Sequence, residues 1–185
     1  MVVTVRRAQI QDTDAISRIH VDTWKSAYRG IIPYKILDGL SYGRSKEMWD
    51  NRLIDDEDPT AVFVAEAETG TLVGFVSCGP ARGAKQGYDG ELYAIYVAPR
   101  MQRMGVGRML VLSAVRDLRI RGFESMVAWV LGENPFRRFY EGLGGEPALK
   151  KEVVLGGKEV EETGYCWKSL SVLTAKLEDH LRKVS

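Results

Sequence analysis

Residues 91–122 read ELYAIYVAPRMQRMGVGRMLVLSAVRDLRIRG, and this stretch decides the fold. Its first seven residues are dense in aromatic and branched side chains, as a strand requires. After Pro99 the apolar spacing changes to the helical period, which predicts a helix from about Val106 that Gly122 stops. Between strand and helix lies a loop carrying Gly105 and Gly107. Such a helix start offers unpaired backbone N–H groups and the positive end of the helix dipole, a ready anion site. Glycine at both positions lets the backbone approach the anion with no Cβ in the way. From Arg100 to Arg121 six arginines stand against one acid, Asp117, a local excess suited to phosphate. A solvated helix face would account for the same arginines. Other glycine-loop motifs do not fit. Leu110 stands where G-x-G-x-x-G needs its third glycine, and no Gly-Lys-Ser/Thr follows.

Working outward from this stretch, residues 2–6 alternate like a half-buried strand. Asp12 or Thr13 then caps a helix whose stripe is Ile16, Ile19, Thr23 and Ala27, ending near Gly30. A second helix is expected over residues 41–53, followed by an acidic loop, 55–58, with Pro59. Residues 61–66 and 72–78 form a hairpin around Thr69-Gly70. A glycine-rich loop (Gly79, Gly83, Gly87, Gly90) leads into the deciding strand. Beyond it, residues 125–130 read as a strand, and Asn134-Pro135 sets an N-cap with proline at the first helical position. Gly142 closes that helix, and Gly156-Gly157 turns a hairpin between residues 147–155 and 158–168. The central helix is a crossover, so the two strands it joins run parallel. The expected architecture is a mixed α/β domain with about seven strands, four helices and a C-terminal helix. In that last helix Leu170, Leu173, Leu177, Leu181 and Val184 form an apolar stripe. Residues 171–185 are therefore read as an extension of a 1–170 domain, packed on that domain or on a partner subunit. A homodimer is the expected state.

Composition narrows the function classes. A chain of 185 residues fits one domain, and 45% hydrophobic with 28% charged residues excludes disorder. The 26 basic and 25 acidic residues leave a net charge of +1, too little for a general nucleic-acid binder. Two cysteines, Cys78 and Cys166, and two histidines cannot build a disulfide framework, a four-cysteine zinc site or a three-histidine centre, so no metal is expected. No signal peptide and no membrane-length apolar run is visible. The expectation is a cytoplasmic protein with neither nucleic acid nor membrane as partner.

Three segments together resemble the GNAT superfamily of N-acetyltransferases. Gln102-Arg103-Met104-Gly105-Val106-Gly107 matches its Q/R-x-x-G-x-G/A signature, ELYAIYVAP is similar to its fourth strand, and NPFRRFYEGLGG resembles the N-x-x-x-x-F-Y-E-x-L-G segment after the fifth. The WKSAYRGIIP segment also occurs in some members. The resemblance implies that acetyl-CoA is bound through Gln102, Arg103, Met104, Gly105, Val106, Gly107 and Arg108, with its pantetheine arm along the backbone of Ile95, Tyr96 and Val97. Asn134 matches a position that commonly contacts the cofactor, and it equally suits capping the helix after it. The implied reaction is direct transfer of acetyl to a primary amine of a small molecule or peptide. Tyr140 matches the general acid and Glu91 the acid that serves as base through water. Core packing for Tyr140 and solvation for Glu91 are the competing readings, and Tyr93 could share the role of Glu91. A non-catalytic acyl-CoA-binding regulatory module is the alternative function. For the acceptor side, Trp24, Tyr28 and Tyr34 offer aromatic walls, and Asp55, Asp56, Glu57 and Asp58 could draw in a cation; core packing and a solvated loop account for the same residues. Phe136 and Gly145 depart from the commonest pattern, outside the cofactor motif.

Overall fold

The computed structural model describes residues 2–83 and 87–184, with the side chain of Val184 excepted. Seven strands form one sheet: β1 (Val3–Arg7), β2 (Ala61–Ala67), β3 (Leu72–Pro80), β4 (Gly90–Val97), β5 (Met126–Leu131), β6 (Glu146–Leu155) and β7 (Lys158–Trp167). Their spatial order is β1-β2-β3-β4-β5-β7-β6. Only β4 and β5 run parallel, as the helical crossover demands; every other pair is antiparallel. The described residues hold six α-helices: α1 (Thr13–Ala27), α2 (Tyr34–Asp38), α3 (Tyr42–Ile54), α4 (Val106–Ile120), α5 (Arg137–Gly142) and α6 (Leu170–Val184). The short α2 was not expected from sequence, because five residues carry too little periodicity to register.

The two faces of the sheet hold separate cores. On one face α4 packs against β2, β3 and β4 through Leu110, Val111, Ala114, Val115 and Leu118. On the other, α1 and α3 bring Ile16 and Trp49 against Val62, Val64 and Phe75. The stripe of α6 is spent inside the chain: Leu170, Leu173 and Leu177 are buried in the α4 core, and Arg116 of α4 meets Glu178 at 2.7 Å. It needs no partner subunit for its burial.

One helix start differs from the sequence expectation. Asn134-Pro135 is not the cap and first residue of α5, which begins at Arg137 after Phe136. Instead the Asn134 carboxamide oxygen accepts the Phe136 amide at 2.7 Å, closing a side-chain turn ahead of the helix. That local bond competes with helical geometry, and the helix starts two residues later, at Arg137.

Candidate active site

The sheet splits at its centre. β4 and β5 pair only at Gly90↔Met126, Glu91↔Val127 and Leu92↔Ala128. Beyond Leu92 the first strand stays with β3 while β5 follows β7. A bulge marks the departure: Leu92 faces Cys78 and Ala94 faces Ser77 across β3, which leaves Tyr93 as the extra residue. The bulge also resets which side chains face where. Leu92, Ile95 and Val97 join the α4 core, whereas Ala94 and Tyr96 face α1 and α3. From Tyr93 to Val97 the β5-facing edge of the strand has no strand partner among the described residues, so an extended ligand can pair there. The end of this edge is closed by Gln102, whose Nε2 donates to the Val97 carbonyl at 3.0 Å.

The loop after β4 turns through two left-handed residues into the start of α4. Arg103 has φ +64°, and among the described residues it is the one non-glycine with positive φ. Gly105, at φ +84°, is the N-cap of α4. The first bonds inside the helix run from the Arg108 and Met109 amides to the Gly105 carbonyl, at 2.9 and 3.1 Å. The amides of Val106 and Gly107 are left facing out of the helix start. Gly107 has a second reason to lack a side chain, since a Cβ there would lie 3.0 Å from the Phe139 ring of α5. Five of the six arginines fall into two sets. Arg116 and Arg121 pair with Glu178 and Asp117 toward the far end of α4. Arg100, Arg103 and Arg108 flank the loop and have no carboxylate partner among the described residues. Beside Arg108 a groove of about 220 Å³ carries Lys176, His180 and Lys183 from α6.

Tyr140 is the fourth residue of α5. Its ring stacks on Tyr165 of β7 at 5.5 Å and meets Phe139 edge-on at 5.4 Å. Burial above all, with the neighbouring Tyr28 and Tyr165 phenols, pushes its pKa well above that of an ordinary tyrosine. It therefore stays protonated at neutral pH. Glu91 is 1% exposed, one residue before the last β4–β5 pair. Both its oxygens are occupied by Arg82, through the backbone amide at 2.8 Å and Nε at 3.0 Å. The same guanidinium lies 4.3 Å over the Tyr93 ring. Arg82 carried no signal in the sequence, sitting in a glycine-rich loop far from any motif. Of that loop, residues 84–86 lie outside the described set.

On the opposite face the aromatic residues of α1 converge on the split. Trp24 Nε1 donates to Tyr96 Oη at 2.7 Å, and Asn134 Nδ2 donates to Tyr28 Oη at 2.9 Å. Burial pushes the Tyr28 phenol up to about 12 and the Tyr96 phenol higher still. His20 stacks on Tyr96 at 5.4 Å, and burial lowers its pKa from 6.5 to about 4. Asn134 thus has both halves of its amide engaged by protein. Two acceptor-side expectations fail on position. Tyr34 is 78% exposed on α2, outside this cluster. The acidic run ends next to Pro59, whose carbonyl binds Arg121 at 2.6 Å, so the loop sits at the C-terminal end of α4, away from the glycine loop.

The split sheet and glycine-capped α4 define an acyl-CoA transferase type of fold, and the comparisons agree. Residues 22–144 match the Acetyltransferase (GNAT) family, and the chain belongs to that family. It is 39% identical over 175 residues to the N-acetyltransferase YuaI of Bacillus subtilis, a relative itself named uncharacterized, covering 95% of this chain and 98% of the other. A shorter match, 32% over 103 residues and 55% of either chain, is to phosphinothricin N-acetyltransferase of Streptomyces viridochromogenes. Among solved structures, ribosomal-protein-alanine N-acetyltransferase from Brucella melitensis shares the fold with a TM-score of 0.69 at 22% identity, over 89% of this chain and 99% of that one. The PaiA N-acetyltransferase from Thermoplasma acidophilum, in complex with coenzyme A, has a TM-score of 0.66 at 21% identity, over 89% and 100%. No helix of the described residues is long and apolar enough to cross a membrane.

Proposed function

We propose that the protein is an acetyl-CoA-dependent N-acetyltransferase acting on a primary amine. The carrying observation is the coincidence of three features at one place: the unpaired edge of β4, the open amides at the start of α4, and the protonated phenol of Tyr140. The edge suits the pantetheine amides, and the helix start suits the pyrophosphate with Arg100, Arg103 and Arg108 around it. The amine nitrogen attacks the thioester carbonyl, and the C–S bond breaks with the thiolate as leaving group. Tyr140 hydrogen-bonds that sulfur. Because a thiol titrates near ~8.5 and the phenol is held far higher, Tyr140 passes its proton to the sulfur only as the proton released by the amine, relayed through water, replaces it.

The proton lost by the amine needs another route. Two roles are open to Glu91, whose oxygens accept from the Arg82 amide and Nε: a base acting through water, or a charge that holds Arg82 while water alone carries the proton. A Glu91→Gln variant separates the two roles: a working base shifts the pH–rate profile upward when removed, while a fixed charge lowers the rate at every pH.

The decisive assay is thiol release from acetyl-CoA across amines, amino acids, polyamines and peptides. Tyr140→Phe should lower kcat by roughly a hundredfold or more, with acetyl-CoA affinity and melting temperature unchanged because ring and stacking remain. Wild-type turnover by the variant would leave Tyr140 a packing residue. Tight acetyl-CoA binding with no thiol release from any amine would return the regulatory-module reading.

A further inference from the structure

Tyr28 and Tyr96 share an unusual constraint, because each phenol oxygen is claimed by a group that only donates. The Trp24 indole has one N–H and no acceptor, and it lies 2.7 Å from Tyr96 Oη. The Asn134 amide is fixed by its other bond. Its Oδ1 accepts the Phe136 amide, so the atom 2.9 Å from Tyr28 Oη is the donating nitrogen. In both bonds the phenol accepts, and its own proton must point elsewhere. Among the described residues neither proton has an acceptor. A buried donor left unmet costs free energy that a bound oxygen recovers.

The two oxygens bracket the split sheet. Tyr96 stands on the β4 side, four residues past the last β5 partner, and Tyr28 is tied through Asn134 to the segment that follows β5. Trp24 closes the wall between them, edge-on to Tyr28 at 5.0 Å. Tyr140 reaches the same gap from the α4 side, and the Tyr28 phenol acts electrostatically on both Tyr96 and Tyr140. The carboxylates nearby are already matched, Glu91 by Arg82 and Glu162 by Lys151 at 3.1 Å. The wall therefore presents donors and aromatic surface, not free negative charge for a polyamine.

Resting on the N-acetyltransferase reading above, we propose that the Tyr28 and Tyr96 hydroxyls together bind an sp² oxygen, carboxylate or amide carbonyl, carried on the carbon next to the accepting amine. The substrate class is then α-amino acids or their amides, in preference to plain alkylamines and polyamines. A site that hydrogen-bonds its substrate's oxygen strongly rejects the analogue lacking it, because the donors are left unmet.

The test uses matched triplets: an α-amino acid, its carboxamide, and the amine left when the carbonyl carbon is removed, over small, acidic and aromatic side chains. The expected kcat/KM favours the carbonyl-bearing members by about a hundredfold or more. Tyr28→Phe and Tyr96→Phe should each raise KM for those members by roughly tenfold and shrink their preference over the bare amine by the same factor. Activity with the acid but not the amide assigns the oxygen to a carboxylate, and equal activity assigns it to a carbonyl; both support the site. Bare amines or polyamines turned over as fast as their carbonyl partners would overturn it, as would Phe variants that slow every member alike. Calorimetry of the amino acid on the CoA-bound protein keeps the two readings apart. Binding lost in the double Phe variant upholds the oxygen site even if no thiol is released, a result that would sink only the transferase reading. Binding unchanged in the double variant overturns the site whatever the turnover.

Discussion

On the α4 side of the sheet the site is made of backbone, and on the α1 side it is made of side chains. The proposed anion cradle consists of amides from consecutive residues, shaped by the positive φ of Arg103 and Gly105. The proposed acceptor wall consists of Trp24, Tyr28, Tyr96 and Asn134, drawn from three distant segments and joined by two hydrogen bonds. A backbone site tolerates many side chains but few changes of dihedral angle. A side-chain site tolerates backbone variation but depends on single polar atoms. The two faces should therefore fail under different substitutions.

The largest effect is expected where the backbone itself carries the binding. A valine at position 105 would have to hold φ near +84°, a region that costs an L-residue ~1–2 kcal/mol and a β-branched one more. No atom lies within 4 Å of the added Cβ, so the surrounding fold is not pushed apart. The loop relaxes instead, and the α4 amides leave their common focus. Calorimetry on Gly105→Val should show acetyl-CoA affinity down by roughly a hundredfold, about 2.7 kcal/mol, with the circular dichroism spectrum retained. Wild-type affinity would remove the assignment of the cradle to the backbone.

The next effect belongs to the other face and is read as stability. His20 is half-buried against Tyr96, Trp24, Trp49 and Phe75, and its ring nitrogen lies 3.1 Å from Ser45 Oγ. Burial holds its pKa at about 4 against 6.5 in the unfolded chain. Below pH 6.5 the unfolded state takes up a proton that the folded state refuses. Stability is thus complete above that pH, falls as pH drops, and levels off near 4. Linkage bounds the loss at ~3 kcal/mol. Urea unfolding at pH 7, 5.5 and 4 should show this slope in the wild type and a shallower one in His20→Phe. Identical slopes would mean that the His20 environment is more open to water than the packing indicates.

The same contrast decides what could be read from the sequence. The glycine loop, the crossover helix and the parallel β4–β5 pair were all legible, because period and glycine spacing are local signals. The bulge at Tyr93 was not, since it depends on register against β3. Neither was the pairing of Glu91 with Arg82, made across a loop with no pattern of its own. Asn134 shows the limit most clearly. Its residue type and position suited a cap or a cofactor contact, and in the fold its amide holds Tyr28 on one side and the turn before α5 on the other. Trp24 and Tyr28 were visible as aromatic walls, but their use as fixed hydrogen-bond partners depends on segments that lie 72 and 106 residues away.

The smallest effect tests how the arginines of α4 divide, which their sequence cluster concealed. Arg108 stands in the first turn beside the open amides, at the mouth of the groove shared with α6, where the one lining carboxylate, Asp179, is paired with Lys183 at 2.6 Å. Arg116 sits two turns further on, already bound to Glu178 on an exposed face. If the excess charge is one phosphate patch, removing either arginine should weaken acetyl-CoA alike. If the fold has sorted them, only Arg108→Ala should do so, by a few-fold at low salt and less at high salt, because screening shortens the reach of an exposed charge to about 8 Å at physiological ionic strength. Arg116→Ala should leave the affinity untouched, and its melting temperature should stay at the wild-type value because exposed pairs contribute little. Equal losses from the two variants would extend the anion site along the whole helix and blur the line between its backbone cradle and its charged flank.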